Sequence, residues 1–370
     1  MRYDSQGLPV HPMFHRALAP LACCAVSTLA TAQVVRGAIT ERASDAPLAG
    51  VLVTLEPLAA GHDPAAVLTS EKGEFRVRAP GPGRYLLTAK RIGVRRFVSD
   101  PIELHDGETR HMDITLDPVA LLLPEVRVAE FDLCVPQPTD RPRVEALWDE
   151  ARTALAAAQV SLRDRLFDGQ LRRYSRGLDP RTLRVLEESW SAVQGVMDRP
   201  LVSLTGDSLS KTGYHRTVDG YTYFYAPDAA VLLSDAFRRD HCYAAVQGGG
   251  NRRGLLGLAF QPAAERLLPD VRGTLWLDAR SFELRLVEFR FTEVAPFPGS
   301  DKVGGEVHFE KLDNGAWMTS RWFLRVPQQS RPASPVDAET RLPSVIVRPT
   351  MHRLIEEGGL VESARPRKAG

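Results

Sequence analysis

The residues whose types suggest metal chemistry are His105 and Glu108, which have the H-x-x-E spacing of a zinc-ligand pair. Either His215 or His241 lies at a chain distance that suits a third ligand. However, Asp106-Gly107 separates the first pair, and Asp-Gly is a turn dipeptide. A tight turn would not hold two ligands on a rigid element. We therefore expect no metal, no cofactor and no catalytic residue at this position.

Other patterns that suggest catalysis are incomplete. The glycine-rich run from Gly248 to Gly254 lacks the Lys-Ser/Thr pair of a phosphate loop and the spacing of a dinucleotide-binding motif. Ser208 and Ser210 lie near His215, but no nucleophile-elbow pattern surrounds them. We expect the glycine-rich run to be a loop between strands, and the protein not to be an enzyme.

A cluster of aromatic and arginine side chains supplies the candidate ligand-binding residues. Three tyrosines alternate along one predicted strand, which indicates core packing or an aromatic platform for a sugar or lipid. A tryptophan in a later strand has the same two interpretations, and an arginine pair in the glycine-rich loop is expected to face solvent, with an anionic group as the alternative partner. The candidates are Tyr221, Tyr223, Tyr225, Trp276, Arg252 and Arg253.

The N-terminus has the pattern of a signal peptide. Arg16 precedes an apolar run from Ala17 to Leu29, and Ala30-Thr31-Ala32 is a small-x-small cleavage site that leaves residues 33–370. The initiator is Met1 or Met13. The apolar run is short for a transmembrane helix, so we expect none in the mature chain. We expect an exported protein that is periplasmic, associated with an outer membrane or secreted, with a lipoprotein as the alternative.

Cys134 and Cys242 are the two cysteines that remain after cleavage. An exported protein matures in an oxidising compartment, so we predict a Cys134–Cys242 disulfide, with two buried free thiols as the alternative. Formal net charge is +1, from 47 basic and 46 acidic residues. This balance does not favour nucleic acid as a partner.

The first part of the mature chain predicts a β-sandwich. Residues 34–116 contain about seven short alternating segments separated by turn residues. The clearest pattern runs from Gly73 to Gly93, where two alternating segments flank Gly81-Pro82-Gly83 and predict a β-hairpin. A second hairpin is predicted from Ile102–Leu104 and Met112–Leu116.

The same region resembles the carboxypeptidase regulatory-like domain over residues 33–118. The matching motifs are Gly37, the run from Pro47 to Leu55, Thr69 with Gly73 and Phe75, and Pro82-Gly83-Arg84-Tyr85. The resemblance implies a transthyretin-like Greek-key sandwich of seven strands. It also implies an accessory role, in a family that occurs in TonB-dependent receptors and other exported bacterial proteins.

The remainder predicts a helix and many strands. Residues 119–142 are a proline-rich connector, and Arg143–Ala158 carries apolar residues on one helical face, capped by Thr139 or Asp140. Residues 143–327 are predicted to be an antiparallel sheet or half-barrel under that helix, and the fold class is mainly β with one or two helices. The predicted strands are Gln170–Gly177, Thr182–Val193, Tyr221–Tyr225, Arg272–Asp278, Glu283–Glu293, Glu306–Leu312 and Trp317–Val326. Asp313-Asn314-Gly315 predicts a tight turn, and residues 228–240 predict a short helix capped by Asp228. Residues 328–370 are a tail with a terminal hairpin, Met351–Ile355 and Leu360–Ser363, turned at Gly358-Gly359.

These observations predict an exported, non-catalytic binding or scaffolding protein. One alternative is a carrier of an apolar or carbohydrate ligand in the C-terminal β domain. A second alternative, from the family name alone, is a hydrolase-associated accessory protein. The expected partners are a cell-envelope protein, a glycan or a lipid.

Overall fold

The computed structural model describes residues 33–117, 134, 141–196, 201, 203–218, 221–328 and 353–367. The predicted signal peptide, most of the connector, the two proposed helix caps and most of the tail lie outside these residues. None of the described helices is long and apolar enough to cross a bilayer. The strands are β1 (Val34–Glu41), β2 (Leu52–Pro57), β3 (Ala65–Leu68), β4 (Glu74–Arg78), β5 (Gly83–Lys90), β6 (Phe97–Val98), β7 (Ile102–Leu104), β8 (Thr109–His111), β9 (Ile114–Leu116), β10 (Phe167–Leu178), β11 (Val185–Val196), β12 (His215–Val218), β13 (Tyr221–Phe224), β14 (His241–Gln247), β15 (Leu255–Pro262), β16 (Val271–Asp278), β17 (Leu284–Phe291), β18 (Gly304–Lys311), β19 (Trp317–Pro327) and β20 (Leu354–Pro366). The α-helices are α1 (Arg141–Arg163), α2 (Gly206–Thr212), α3 (Ala229–Leu233) and α4 (Asp235–Asp240).

Strands β1–β9 form the predicted sandwich. One sheet has the order β4-β1-β8, with β9 also paired to β1, and the other has the order β3-β2-β5-β6, with β7 also paired to β5. Val35, Val53, Val77, Tyr85 and Leu87 come from both sheets and are buried in one core. Nine strands are present where seven were predicted, because several have only two to four residues and show no alternation.

Neither hairpin predicted within the sandwich is present. β4 pairs with β1, whereas β5 pairs with β2, β6 and β7, so the turn at Gly81-Pro82-Gly83 carries the chain from one sheet to the other. Similarly, β7 pairs with β5 and β9 pairs with β1. Alternation reports that each strand buries one face. It does not report which strand supplies the hydrogen bonds, and here the consecutive strands meet through their side chains across the core.

In the described part of the C-terminal half, nine strands form an open sheet with the order β11-β10-β20-β19-β18-β17-β16-β15-β14. All of its described strand pairs are antiparallel. The open antiparallel sheet, rather than the half-barrel, is therefore the architecture present. β14 and β15 were not predicted, and the glycine-rich loop from Gly248 to Gly254 joins them.

Helix α1 lies on one face of this sheet. Leu147, Ala151, Ala154, Leu155 and Ala158 are buried along one side of the helix, as their spacing predicted. The helix continues to Arg163 rather than ending at residue 158, because no breaker follows and its last turn is anchored. The hydroxyl of Ser161 accepts a hydrogen bond from the Trp317 backbone N–H at 2.9 Å.

The predicted short helix at residues 228–240 is two helices. Asp228 caps α3 through the N–H of Val231, as expected, but Ser234 ends α3 and caps α4 through the N–H of Phe237. A serine that accepts a hydrogen bond from a later N–H favours a new helix start over continuation of the old one.

The predicted terminal hairpin is instead the single strand β20. Gly358 and Gly359 are in its interior, where two aromatic rings cross it on opposite faces. A Cβ on Gly358 would lie 2.6 Å from the Tyr174 phenol, and a Cβ on Gly359 would overlap the Trp322 indole. The glycines are therefore explained by close packing of aromatic rings rather than by a turn. Met351, at the start of the predicted hairpin, lies outside the described residues.

The sandwich contacts the helix and the sheet directly. Lys90 at the end of β5 donates hydrogen bonds to Glu150 of α1 (2.7 Å) and to the carbonyl of Val94 (3.1 Å). The turn at Gly50 meets the β18–β19 turn so closely that a Cβ on Gly50 would lie 2.7 Å from the Cα of Gly315. The predicted Asp-Asn-Gly turn of the sheet is thus also a contact point with the sandwich.

Candidate binding site

The predicted zinc-ligand pair lies in a turn of the sandwich. The backbone N–H of His105 donates to a Glu108 carboxylate oxygen at 2.9 Å, and the N–H of Glu108 donates to the His105 carbonyl at 3.1 Å. A pocket of about 630 Å³ lies beside this turn, and the described residues that line it include no second histidine. Throughout the described residues, no group of three or more His, Cys, Asp or Glu side chains is placed to hold a metal ion.

The histidines considered as third ligands have protein partners. His215 Nε2 is 2.8 Å from the carbonyl oxygen of Thr292. His241 is buried, with Nδ1 2.9 Å from the carbonyl of Phe237 and Nε2 3.1 Å from Asp270. Asp270 also contacts Arg266. This His–Asp–Arg network links the first residue of β14 to the segment that precedes β16, and we assign it a structural role.

The predicted disulfide is present. Cys134 and Cys242 are bonded, with 5.0 Å between their Cα atoms and a sequence separation of 108 residues. Cys242 lies on β14, an edge strand of the large sheet. The bridge therefore attaches the connector to that edge.

The candidate tyrosines lie on a separate two-stranded sheet formed by β12 and β13. In this ladder Tyr221 pairs with Val218 and Tyr223 pairs with Arg216. The Tyr223 side chain is 50% exposed, whereas Tyr225 is partly buried against the core. Tyr223 therefore presents an exposed aromatic surface.

The remaining candidates meet in one polar cluster. Trp276 is buried, and its Nε1 donates to Glu288 at 2.8 Å. Arg252 donates to the same Glu288 at 2.7 Å and to Glu306 at 3.2 Å. Arg253 is exposed in the turn that follows. The structure thus brings together Trp276 and Arg252 but pairs both within the protein.

A pocket that none of the predicted residues lines lies on the helix-side face of the large sheet. Its volume is about 340 Å³. It follows two neighbouring cross-strand rows through β19, β20, β10 and β11, and we call it the serine–tryptophan groove. The first row is Trp322, Gly359, Arg173 and Ser191, and the second is Leu324, Glu357, Ser175 and Ser189. Leu201 also lines it, as do Gly358, Tyr174 and Trp190, which form the row between these two.

The shape of the groove follows from the sizes of these side chains. The three serines are small, whereas Trp322, Leu324, Arg173 and Glu357 are large, and the Trp322 indole covers Gly359. Because residues of one row project from the same face of a sheet, the small residues form a depression between the large ones. Trp322 and Leu324 give an apolar side on β19, and the serines give a polar side towards β11.

The polar groups of the groove have no partners among the described residues. Arg173, Glu357, Ser175, Ser189 and Ser191 make no side-chain hydrogen bond or ion pair with any residue that the structure describes. They are exposed or half-buried, and available to a ligand.

The opposite face of the same strands is different. Tyr174 stacks with Trp190 at 5.1 Å between ring centroids, and Arg176 lies 4.1 Å from the Tyr174 ring centre. Arg176 also pairs with Glu188 at 2.5 Å, and Glu356 accepts from Tyr174 at 3.2 Å. Burial, followed by the nearby Glu356 charge, raises the pKa of Tyr174 to about 12, so this hydroxyl stays protonated as a donor. This face is an internally satisfied network.

The groove could not be found from the sequence. Arg173, Ser175, Ser189 and Ser191 lie in strands that were predicted, and the alternating serines mark one face of β11. Trp322 lies in the predicted strand Trp317–Val326. The groove exists only because β20 enters the sheet between β10 and β19, and β20 was predicted to be a hairpin.

The space beneath α1 is filled. Leu258, Leu275 and Val287 from the sheet and Leu155 from the helix are all buried in the same core. The helix-covered face therefore packs as a core, and the groove lies beside the helix rather than beneath it.

Comparison with known proteins identifies the sandwich but not the large sheet. The family model of the carboxypeptidase regulatory-like domain matches residues 34–117. A search of curated proteins gave no match. A 3-chlorocatechol 1,2-dioxygenase from Rhodococcus opacus is 14% identical over 24% of this chain and 60% of its own, with a TM-score of 0.19. GBS52, the minor pilin of Streptococcus agalactiae, is 17% identical over 27% of this chain and 48% of its own, with a TM-score of 0.20.

A streptococcal ancillary pilin is 10% identical over 54% of this chain and 60% of its own, with a TM-score of 0.21. In each of these three comparisons the chain spans less than two thirds of the solved structure. The family match and the fold together lead to one conclusion: residues 34–117 of this chain are a carboxypeptidase regulatory-like domain.

Proposed function

We propose that this protein is an exported, non-catalytic binding protein in which the carboxypeptidase regulatory-like domain is rigidly attached to the large sheet and supports it. The observation that supports this proposal is the junction between them. A buried ion pair joins Lys90 to Glu150, and Arg163 of α1 donates to the carbonyl of Ala66 in β3. These two contacts hold the end of β5 and the edge strand β3 of the sandwich against α1.

The proposal is tested first by activity. The secreted chain is incubated with Zn²⁺ and a panel of C-terminal dipeptide and ester substrates, beside a His105→Ala/Glu108→Ala variant. We expect no turnover from either protein. Saturable turnover that the double variant lacks would overturn the non-catalytic assignment.

A second test addresses the rigid attachment of the sandwich to the large sheet. Because the sandwich and the sheet share buried contacts, we expect one cooperative unfolding transition in a denaturant titration, seen alike by far-UV circular dichroism and tryptophan fluorescence. All five tryptophans lie outside the sandwich. Two separated unfolding transitions would contradict the rigid attachment.

A further inference from the structure

We propose that the serine–tryptophan groove binds a neutral saccharide of one or two sugar units; this inference rests on the non-catalytic binding function proposed above. The groove has a volume of about 340 Å³. Ligand pockets in proteins begin at about 300 Å³. The groove therefore holds a small ligand or the end of a longer one.

The arrangement of its side chains indicates the class of ligand. A sugar ring has a C–H face that is apolar and a rim of hydroxyls that both donate and accept hydrogen bonds. Leu324, Leu201 and the small exposed part of the buried Trp322 form the apolar part of the groove, and the serine hydroxyls form a part that likewise donates and accepts. The two sides of the groove match the two parts of a sugar.

The charged groups favour a neutral ligand. Arg173 supplies only donors and the Glu357 carboxylate only acceptors, so together they can bind neighbouring hydroxyls of one ring. They contribute one positive and one negative charge, and neither has an ion-pair partner among the described residues. An anionic ligand would be repelled by Glu357, and a cationic one by Arg173. A zwitterionic dipeptide would use both charges but offers the three serine hydroxyls only one peptide N–H and one C=O, fewer groups than the hydroxyl rim of a sugar.

The contrast between the two faces of β10 supports this assignment. Arg172 and Arg173 are neighbours on the strand and therefore project to opposite faces. Arg172 pairs with Glu362 at 2.9 Å and lies 5.2 Å from the Trp190 ring centre. Arg173 has no such partner among the described residues. Arg172 is thus paired within the protein, whereas Arg173 is available to bind a ligand.

The test measures saccharide binding to the full exported chain by calorimetry and by saturation-transfer NMR. The probes are glucose, N-acetylglucosamine, cellobiose and chitobiose, with galacturonate and alanyl-alanine as charged and zwitterionic comparisons. We expect at least one neutral sugar to bind with a Kd of roughly millimolar or below, and more tightly than either comparison. No binding by any neutral sugar, or tighter binding of galacturonate or alanyl-alanine, would overturn the proposal.

Two matched pairs of variants place the ligand. Arg173→Ala and Glu357→Gln remove groups of the groove, whereas Arg172→Ala and Glu362→Gln remove their neighbours on the opposite face. Because a hydrogen bond to a charged group is a strong one, we expect the first two to weaken binding roughly tenfold or more and the second two to leave it within about twofold. Equal losses in both pairs would overturn the assignment to this groove.

A third variant, Ser175→Leu, fills the groove without removing a charge, and we expect it to abolish binding while circular dichroism stays unchanged. Retained binding would overturn the proposal. Hydrolysis of a bound sugar would contradict the non-catalytic function but not the binding site, whereas a chain without turnover and without sugar binding would contradict the site alone.

Discussion

The Lys90 Nζ atom lies 2.7 Å from a carboxylate oxygen of Glu150, so one buried ion pair joins the sandwich to helix α1. The Lys90 and Glu150 side chains are only 10% and 3% exposed. Asp149 adds a second carboxylate at 3.3 Å. Burying two charges is costly, and the pair is tolerated because each partner neutralises the other and Val94 supplies a further acceptor.

Removing one partner of this pair should destabilise the protein strongly. We expect Lys90→Met to lower the free energy of unfolding by about 3 kcal/mol, because Glu150 is left buried without its cation. The double variant Lys90→Met/Glu150→Leu should recover most of that loss. Arg96→Met is the control, because its ion pair with Asp149 is exposed and should contribute less than about 1 kcal/mol. Denaturant titration of the four proteins measures these values, and equal losses in the two single variants would contradict the expectation.

The ionisation of Glu150 should make stability depend on pH. Burial raises the pKa of its carboxyl above the ordinary value of 4.5, and the Lys90 ammonium only partly reverses this. A carboxyl whose pKa is raised in the folded state contributes stability below pH 4.5, and that contribution is lost as the pH rises through the raised pKa. Relative to Glu150→Gln, the wild type should therefore lose stability as the pH increases from 4. Unfolding titrations between pH 4 and 8 test this, and a difference that stays constant or changes in the opposite direction would refute it.

Loss of the disulfide should destabilise the large sheet. The bridge closes a loop of 108 residues. In the chain-entropy model a loop of this size contributes up to about 4.7 kcal/mol, and we expect Cys134→Ser/Cys242→Ser to lose roughly 2–5 kcal/mol. Mass analysis of the alkylated wild type should find both residues unmodified without reductant and modified with it. Free thiols in the non-reduced, unfolded protein would contradict the pairing.

The close approach of Gly50 and Gly315 can be tested by a substitution of Gly315, with the same substitution at Gly254 as the control. Gly315 has a φ of +82° and its Cβ position falls on the Gly50 backbone, whereas Gly254 has a φ of +84° with nothing within 4 Å. Gly315→Ala and Gly254→Ala therefore share the backbone strain but not the overlap. We expect Gly315→Ala to cost about 1–3 kcal/mol more. Hydrogen exchange should also increase in β2 and β19 for Gly315→Ala alone, and equal effects of the two variants would show that the contact is unimportant.

The strands and the helix of this protein were largely predictable, because their signals are local. Alternating residues such as Phe75 and Val77 report a buried face of a strand, and the spacing of Leu147, Ala151 and Ala158 reports a buried face of a helix. Strand partners were not predictable. Gly81-Pro82-Gly83 indicates a change of direction, and the same residues suit a hairpin within one sheet and a crossing between two.

The candidate site shows the same division. The chemistry of their side chains suggested His105, Trp276 and Arg252 as possible site residues. The structure places His105 in a turn and pairs the other two with carboxylates. The groove consists of side chains whose importance depends on their neighbours, such as Arg173 and Ser189. None of them is unusual alone.

By itself, the sequence determined that the chain is mainly β, that a carboxypeptidase regulatory-like domain precedes one long helix, and that Cys134 and Cys242 can pair. Each of these follows from residue type or from a period of a few residues. Only the tertiary structure decided that Gly358 and Gly359 are in the interior of β20 and that Trp322, Arg173 and Ser191 share one row. The physical reason is that strand register is set by contacts between distant segments, and those contacts leave no periodic pattern in the chain.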